Sequence, residues 1–116
     1  MADPELLTSH SQEVRRGSVV VASLLMLRTP GYGYGLLEAL AGAGITVDAN
    51  TLYPLLRRLE KQGLLVSEWN TDESRPRKFY RTSESGAELA ATLLAEWTTI
   101  GNSLQAMELA TRKGPS

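Results

Sequence analysis

The last third of the chain sets the hardest condition on its fold. Leu89, Leu93, Trp97, Ile100, Leu104 and Met107 follow one another at intervals of 4, 4, 3, 4 and 3 residues, which lays them along one stripe of a 3.6-residue helix. Thr82 and Ser83 are both able to cap its start, and Glu84 places a carboxylate in the first turn, where the helix dipole favours it. Carried from Glu84 to Arg112, the helix is about 42 Å long at 1.5 Å per residue. A chain of 116 residues is the size of one domain with a modest core, and such a domain cannot cover a helix of that length. The face formed by Leu93, Trp97, Ile100, Leu104 and Met107 therefore requires a partner. Two-fold pairing with a second copy is the commonest solution, so a homodimer is expected.

The run Val19 to Leu27, VVVASLLML, is apolar on every side and lies within a segment, Gln12 to Arg28, that predicts a buried central helix. A buried strand is the competing reading, and the length favours helix. Residues 1–11 are polar and are expected to form a loose tail. Thr29, Pro30 and Gly31 break the helix. The following GYGYG, Gly31 to Gly35, invites comparison with a phosphate-cradling loop, but its spacing is not GxGxxG and no plain strand precedes it. The better reading is a turn opening a short helix from Tyr32 to Ala43, with Leu36, Leu37 and Leu40 inward and Gly42 and Gly44 closing it.

In NTLYPLLRRLEKQGLL, from Asn50 to Leu65, Leu52, Leu55, Leu56 and Leu59 form a core stripe, and Gly63 suits the left-handed residue that ends a helix near Gln62. Pro54 is the anomaly. With Asp48 as the cap it falls in the second turn and removes a backbone hydrogen bond; with Asn50 or Thr51 as the cap it lies near the first turn, where the loss is smaller. Next, LLVSEWN (Leu64 to Asn70) and RKFYRT (Arg77 to Thr82) are strand-like, and the polar TDESRP between them suits a hairpin loop. A two-stranded β-ribbon is expected.

The net charge of −1 gives no global attraction to nucleic acid or membrane, so any electrostatic argument is local. From Asn50 to Arg81 there are seven basic residues against four acidic, whereas from Thr82 onward there are two against four. The basic part is the third helix plus the ribbon. This order of elements describes a mainly α fold with a small β-ribbon, α+β in class: a loose tail over 1–11, a winged helix-turn-helix over 12–82 and a C-terminal dimerisation helix with a short tail over 83–116. In that arrangement the third helix enters the major groove and the ribbon reaches phosphates or the minor groove. Catalysis is disfavoured: there is no cysteine, the single histidine, His10, is in the expected tail, and no metal-ligand spacing or paired carboxylates stand out. No metal or cofactor is expected. The start of the chain lacks the basic flank and long apolar run of a secretory signal, and its most apolar segment is too short to span a bilayer, so a cytoplasmic location is expected.

YGYGLLEAL, NTLYPLLRRLEKQGLLVSEW and RPRKFYRTSESG resemble the PadR-like transcriptional regulators, over roughly Glu13 to Trp97. The single C-terminal helical segment is similar to the smaller type of that family, which dimerises through it. The resemblance implies a repressor that binds double-stranded DNA and, in some members, leaves it when a small molecule binds. Thr51, Leu52, Tyr53 and Pro54 match the entry of the family's recognition helix, and the resemblance implies that Tyr53 and Pro54 belong to its DNA-facing start. Candidate contacts are Asn50, Thr51 and Tyr53 to base edges and phosphates, Arg57 along the exposed side, and Arg75, Arg77 and Lys78 on the wing. Arg58 and Lys61 are read as pairing with Glu60 or other carboxylates. Trp97 carries a second reading, a sensor for a planar or hydrophobic effector at the dimer interface, because an aromatic at the matching place lines such a pocket in multidrug-sensing relatives. Simple packing in the dimer core is the plainer role for an indole in an apolar stripe.

Overall fold

The structure, a computed structural model, describes residues 3–72 and 74–112; Glu73 in the expected hairpin loop and Lys113 in the tail lie outside them. The elements run α1 (Pro4–Met26), β1 (Gly31–Tyr32), α2 (Gly33–Gly42), α3 (Ala49–Lys61), β2 (Leu65–Asn70), β3 (Arg77–Thr82) and α4 (Glu84–Arg112).

Helix α1 begins well before the expected Gln12. Asp3 caps it, its carboxylate accepting the Glu5 N–H at 2.9 Å, with Pro4 at the first helical position and Glu5 in the first turn. These are strong start signals, and they make residues 4–11 helix rather than a loose tail, exposed through His10 and half-buried at Ser11. The apolar half of α1 supplies Val19 and Leu24, and its C-cap Leu27, to a core completed by Leu36 and Leu40 of α2, Leu52, Leu56 and Leu59 of α3, and Leu65, Tyr80 and Ala90. Leu37 and Leu55 sit half-buried at its rim.

Asp48 is the cap of α3, its carboxylate accepting the Thr51 N–H at 2.9 Å. Pro54 consequently occupies the second turn, inside the helix. Lacking an N–H, it leaves the Asn50 carbonyl without its helical donor, and both residues are exposed, so water can solvate that oxygen. Gly63 at φ +77° and Gly44 at φ +93° reverse the chain just past α3 and α2.

The sheet is larger than the expected ribbon. β2 and β3 pair antiparallel from Leu65 opposite Thr82 to Asn70 opposite Arg77, and β1 adds a third, two-residue strand with Gly31 opposite Tyr80 and Tyr32 opposite Phe79. Tyr32 explains why so short a strand forms. Its ring meets Phe79 of the adjacent β3 edge-on at 5.8 Å, and its hydroxyl accepts a hydrogen bond from the Asn70 side chain of β2 at 2.8 Å, so one side chain reaches both other strands.

Thr82 and Ser83 join the elements. The Thr82 N–H donates to Leu27 O at 2.8 Å and its hydroxyl to Leu24 O at 2.6 Å, satisfying carbonyls at the end of α1. The Ser83 hydroxyl donates to Gly63 O beyond α3 at 2.6 Å and accepts from the Gly86 N–H at 3.0 Å, capping α4. Two adjacent residues thus fasten three helix ends. From there α4 runs back along α1, where a methyl group on Gly17 would sit 3.6 Å from the Trp97 ring, and continues past it. The molecule measures 68 × 32 × 22 Å with a radius of gyration of 17.7 Å, against about 13 Å for a compact domain of this length.

Candidate nucleic-acid interface

The residues that the sequence nominates fall on α3 and on the wing, and Lys78 of the wing meets Arg57 of α3 in one groove. Asn50 and Thr51 are exposed on the first turn of α3. Because the cap engages the Thr51 N–H, the threonine offers its side chain rather than that donor to a ligand. Arg57 is exposed farther along, in a groove lined also by Pro54, Arg58, Lys61 and Lys78. Tyr53 is half-buried, and its ring lies so close to Gly33 that a Cβ there would overlap it. The second glycine of GYGYG therefore serves as clearance for the Tyr53 ring at the start of α2, which gives the motif a steric reason unrelated to phosphate.

On the wing, Arg75 is exposed in the loop between β2 and β3. Arg77 is exposed on β3, its guanidinium stacked 3.8 Å from the centre of the Tyr32 ring. Such stacking holds the guanidinium in place while leaving its donors available. Lys78 is placed differently. Its ammonium lies 2.9 Å from Glu60 of α3, and the other oxygen of Glu60 accepts a hydrogen bond from the Ser67 hydroxyl of β2. Hydrogen bonds from Ser67 first and Lys78 second hold the Glu60 carboxyl below its usual pKa, and the bond to Glu60 raises that of Lys78. Both shifts favour the charged pair around neutral pH. The expected pairing of Glu60 with Arg58 or Lys61 is replaced by this long-range one, since residues one or two apart on a helix do not face each other.

Two features escaped sequence reasoning. Arg15 and Arg16 of α1 line a groove shared with Asp48 and Thr51 at the start of α3, extending the basic surface beyond α3 and the wing. Arg16 reaches Glu13 at 3.3 Å in an exposed pair, which holds it only weakly. The EVRRG stretch shows the charge, but nothing in its spacing reveals the helix it will lie beside. Trp69 on the wing is 64% exposed and stands opposite Lys78.

Away from this surface, Leu93 is half-buried, Trp97 is 43% exposed, and Ile100, Leu104 and Met107 are each about 60% exposed along α4. Leu6, Leu7 and Val14 of α1 are exposed as well. Among the described residues there is no cluster of three or more His, Cys, Asp or Glu able to hold a metal ion, and no helix is long and apolar enough to cross a membrane.

Comparison with known proteins agrees with this architecture. A PadR-family transcriptional regulator from Eggerthella lenta superposes with a TM-score of 0.85 at 45% identity, over 89% of this chain and 92% of that one. A transcriptional regulator from Clostridium thermocellum superposes with a TM-score of 0.74 at 26% identity, over 81% and 96%. A transcriptional regulator from Mycobacterium tuberculosis is 44% identical over 55 residues, 47% of this chain and 51% of that protein, so the chain matches about half of that relative's length. The model of the transcriptional regulator PadR-like family matches residues 23–92, which span the end of α1, the whole sheet and the first turns of α4. The chain belongs to the PadR-like family of transcriptional regulators.

Proposed function

We propose that the protein is a homodimeric, sequence-specific DNA-binding repressor. The observation that carries this reading is the groove in which Arg57, Arg58 and Lys61 of α3 meet Lys78 of the wing, with Asn50 and Thr51 exposed at the start of α3 and Arg75 and Arg77 exposed on the wing. α3 would lie in the major groove, with Asn50 and Thr51 at base edges and Tyr53 at the phosphates near its start, while Arg57 and the wing arginines grip the backbone. Lys78, engaged by Glu60, serves the same surface from behind. In a dimer formed through α4, two such surfaces would meet half-sites about 34 Å apart or a multiple of that. Repression follows from occupancy of a promoter.

With three guanidinium groups per subunit on phosphates, a dimer neutralises about six, and the logarithm of affinity should fall with the logarithm of salt with a slope near −5. The test is fluorescence anisotropy on a duplex selected by the protein from a random library, across a salt series. Arg57→Ala should weaken binding to every duplex alike and flatten the slope by about 2 per dimer. A salt-independent wild type, or selection without enrichment of any motif, would sink the proposal.

A second reading concerns release from DNA. Trp97 keeps part of its indole exposed, and the apolar stripe it belongs to shares Ile100 with a shallow groove on the adjoining face of α4 that is lined also by Thr92, Ala95, Glu96 and Thr99. In a dimer this would form a slot for a planar, hydrophobic effector. With Trp69→Phe isolating the signal, planar cations and dyes should quench Trp97 saturably and weaken DNA binding in parallel. Quenching that rises linearly without saturation would leave Trp97 as dimer packing alone.

A further inference from the structure

A carboxylate sits where a DNA-binding surface would least be expected to keep one. Glu60 lines the same groove as Arg57, Arg58, Lys61 and Lys78. On charge alone it repels phosphate and diminishes the surface. Its hydrogen bonds suggest what it gives in return.

Ser67 and Lys78 come from different strands yet share one face of the hairpin. Lys78 stands opposite Trp69, and Ser67 lies two residues from Trp69 on β2, hence on the same side. Glu60 reaches both at once, one oxygen to each. The hairpin has three other anchors: Leu65 and Thr82, at its base in the core and at the helix ends, the buried Tyr80 midway along β3, and Tyr32 on the β1 side. Lys78 is two residues along β3 beyond Tyr80, about 7 Å at the rise of a strand. Two-stranded hairpins are pliant by themselves, so a bond to α3 at that distance limits how far the wing can swing relative to the helix.

Resting on the DNA-binding reading above, we propose that Glu60 is a positioning residue that ties both strands of the wing to the recognition helix and thereby sets the angle at which Arg75 and Arg77 meet the DNA backbone. Electrostatics and positioning then predict opposite signs. Removing the carboxylate would tighten DNA binding if only charge mattered; it weakens binding if the tether sets the angle.

The experiment measures Glu60→Ala, Lys78→Met and the double variant on a duplex that the wild type binds, across a salt series, together with amide exchange in the free proteins. Each single variant should bind about five- to tenfold more weakly, and the double variant no more weakly than the worse single one, because both remove one interaction. The salt slope should stay at the wild-type value in all three, since no phosphate contact is lost. Exchange at the β2 and β3 amides should quicken in each. Glu60→Gln retains an acceptor for Lys78 and a donor for Ser67, and should restore binding to within about twofold.

Equal or tighter binding by Glu60→Ala overturns the proposal. So does a slope that flattens by about 2 per dimer in Lys78→Met alone, which would make Lys78 a phosphate contact. A wild type that binds no duplex defeats the DNA-binding reading, and with it the role in DNA binding. Unchanged exchange in Glu60→Ala defeats the tether itself, whatever the DNA result.

Discussion

Gly86→Ala is expected to destabilise the protein by about 3 kcal/mol, at the upper end of overpacking costs, lowering Tm by on the order of 12–18 °C for a domain of this size. A Cβ on Gly86 would collide with the Leu64 carbonyl oxygen and would lie 2.8 Å from the Thr82 methyl and 3.1 Å from the Leu64 carbonyl carbon. Retreat is blocked on both sides. Leu64 O accepts the Ser83 N–H at 3.0 Å, and lifting α4 would break the bond from the Gly86 N–H to the Ser83 hydroxyl. Gly35→Ala is the control. It is exposed within α2 with no atom within 4 Å of the added methyl, so helix propensity alone acts and the variant should gain up to about 1 kcal/mol. Thermal unfolding of both variants checks the prediction; equal Tm values would mean that α4 does not dock as closely as the structure shows.

The second large effect belongs to the far end of α4. Ile100→Glu combined with Leu104→Glu should convert the proposed dimer into a monomer without unfolding the winged domain. Both side chains are more than half exposed in the single chain. They contribute little to its own core, whereas in a dimer each would bury about 1.5–3 kcal/mol of apolar surface. Placing four carboxylates on a two-fold interface removes that gain and adds charge repulsion. Sedimentation at micromolar concentration should report the monomer mass. DNA affinity should fall by about 10²- to 10⁴-fold, because the second half-site contact ceases to be intramolecular. A variant that still sediments as a dimer would place the interface elsewhere, with the exposed Leu6, Leu7 and Val14 of α1 the next surface to test.

Helix α4 and strand β3 could be read from the sequence to their terminal residues. In α4 a long apolar stripe coincides with a Ser83 cap, and in β3 the RKFYR pattern ends at a threonine whose hydroxyl has a structural task. Elsewhere the local signals conflicted. The polar TSHSQ stretch of α1 resembles a tail, yet Asp3, Pro4 and Glu5 start a helix that the apolar half then stabilises. Strand β1 has two residues, too few for any period to show. At the interface, exposure of Asn50, Thr51, Arg57, Arg75 and Arg77 was foreseeable from helix and wing patterns. The Glu60 tether and the place of Arg15 and Arg16 were not. Each depends on which elements pack side by side, and both partners of Glu60 come from later in the chain than the helix bearing it.

The fastening of three helix ends by Thr82 and Ser83 has a mechanical consequence. Because α1, α3 and α4 are pinned at one point, α3 is coupled directly to the helix through which the proposed dimer would form. Rotation of one α4 against its partner would therefore carry α3 with it as a rigid lever. For an arm on the order of 20 Å, a turn of about 10° displaces the tip by about 3.5 Å, close to the 3.4 Å rise of one base step. A molecule wedged between the two long helices could thus put both copies of α3 out of register with their half-sites while touching neither.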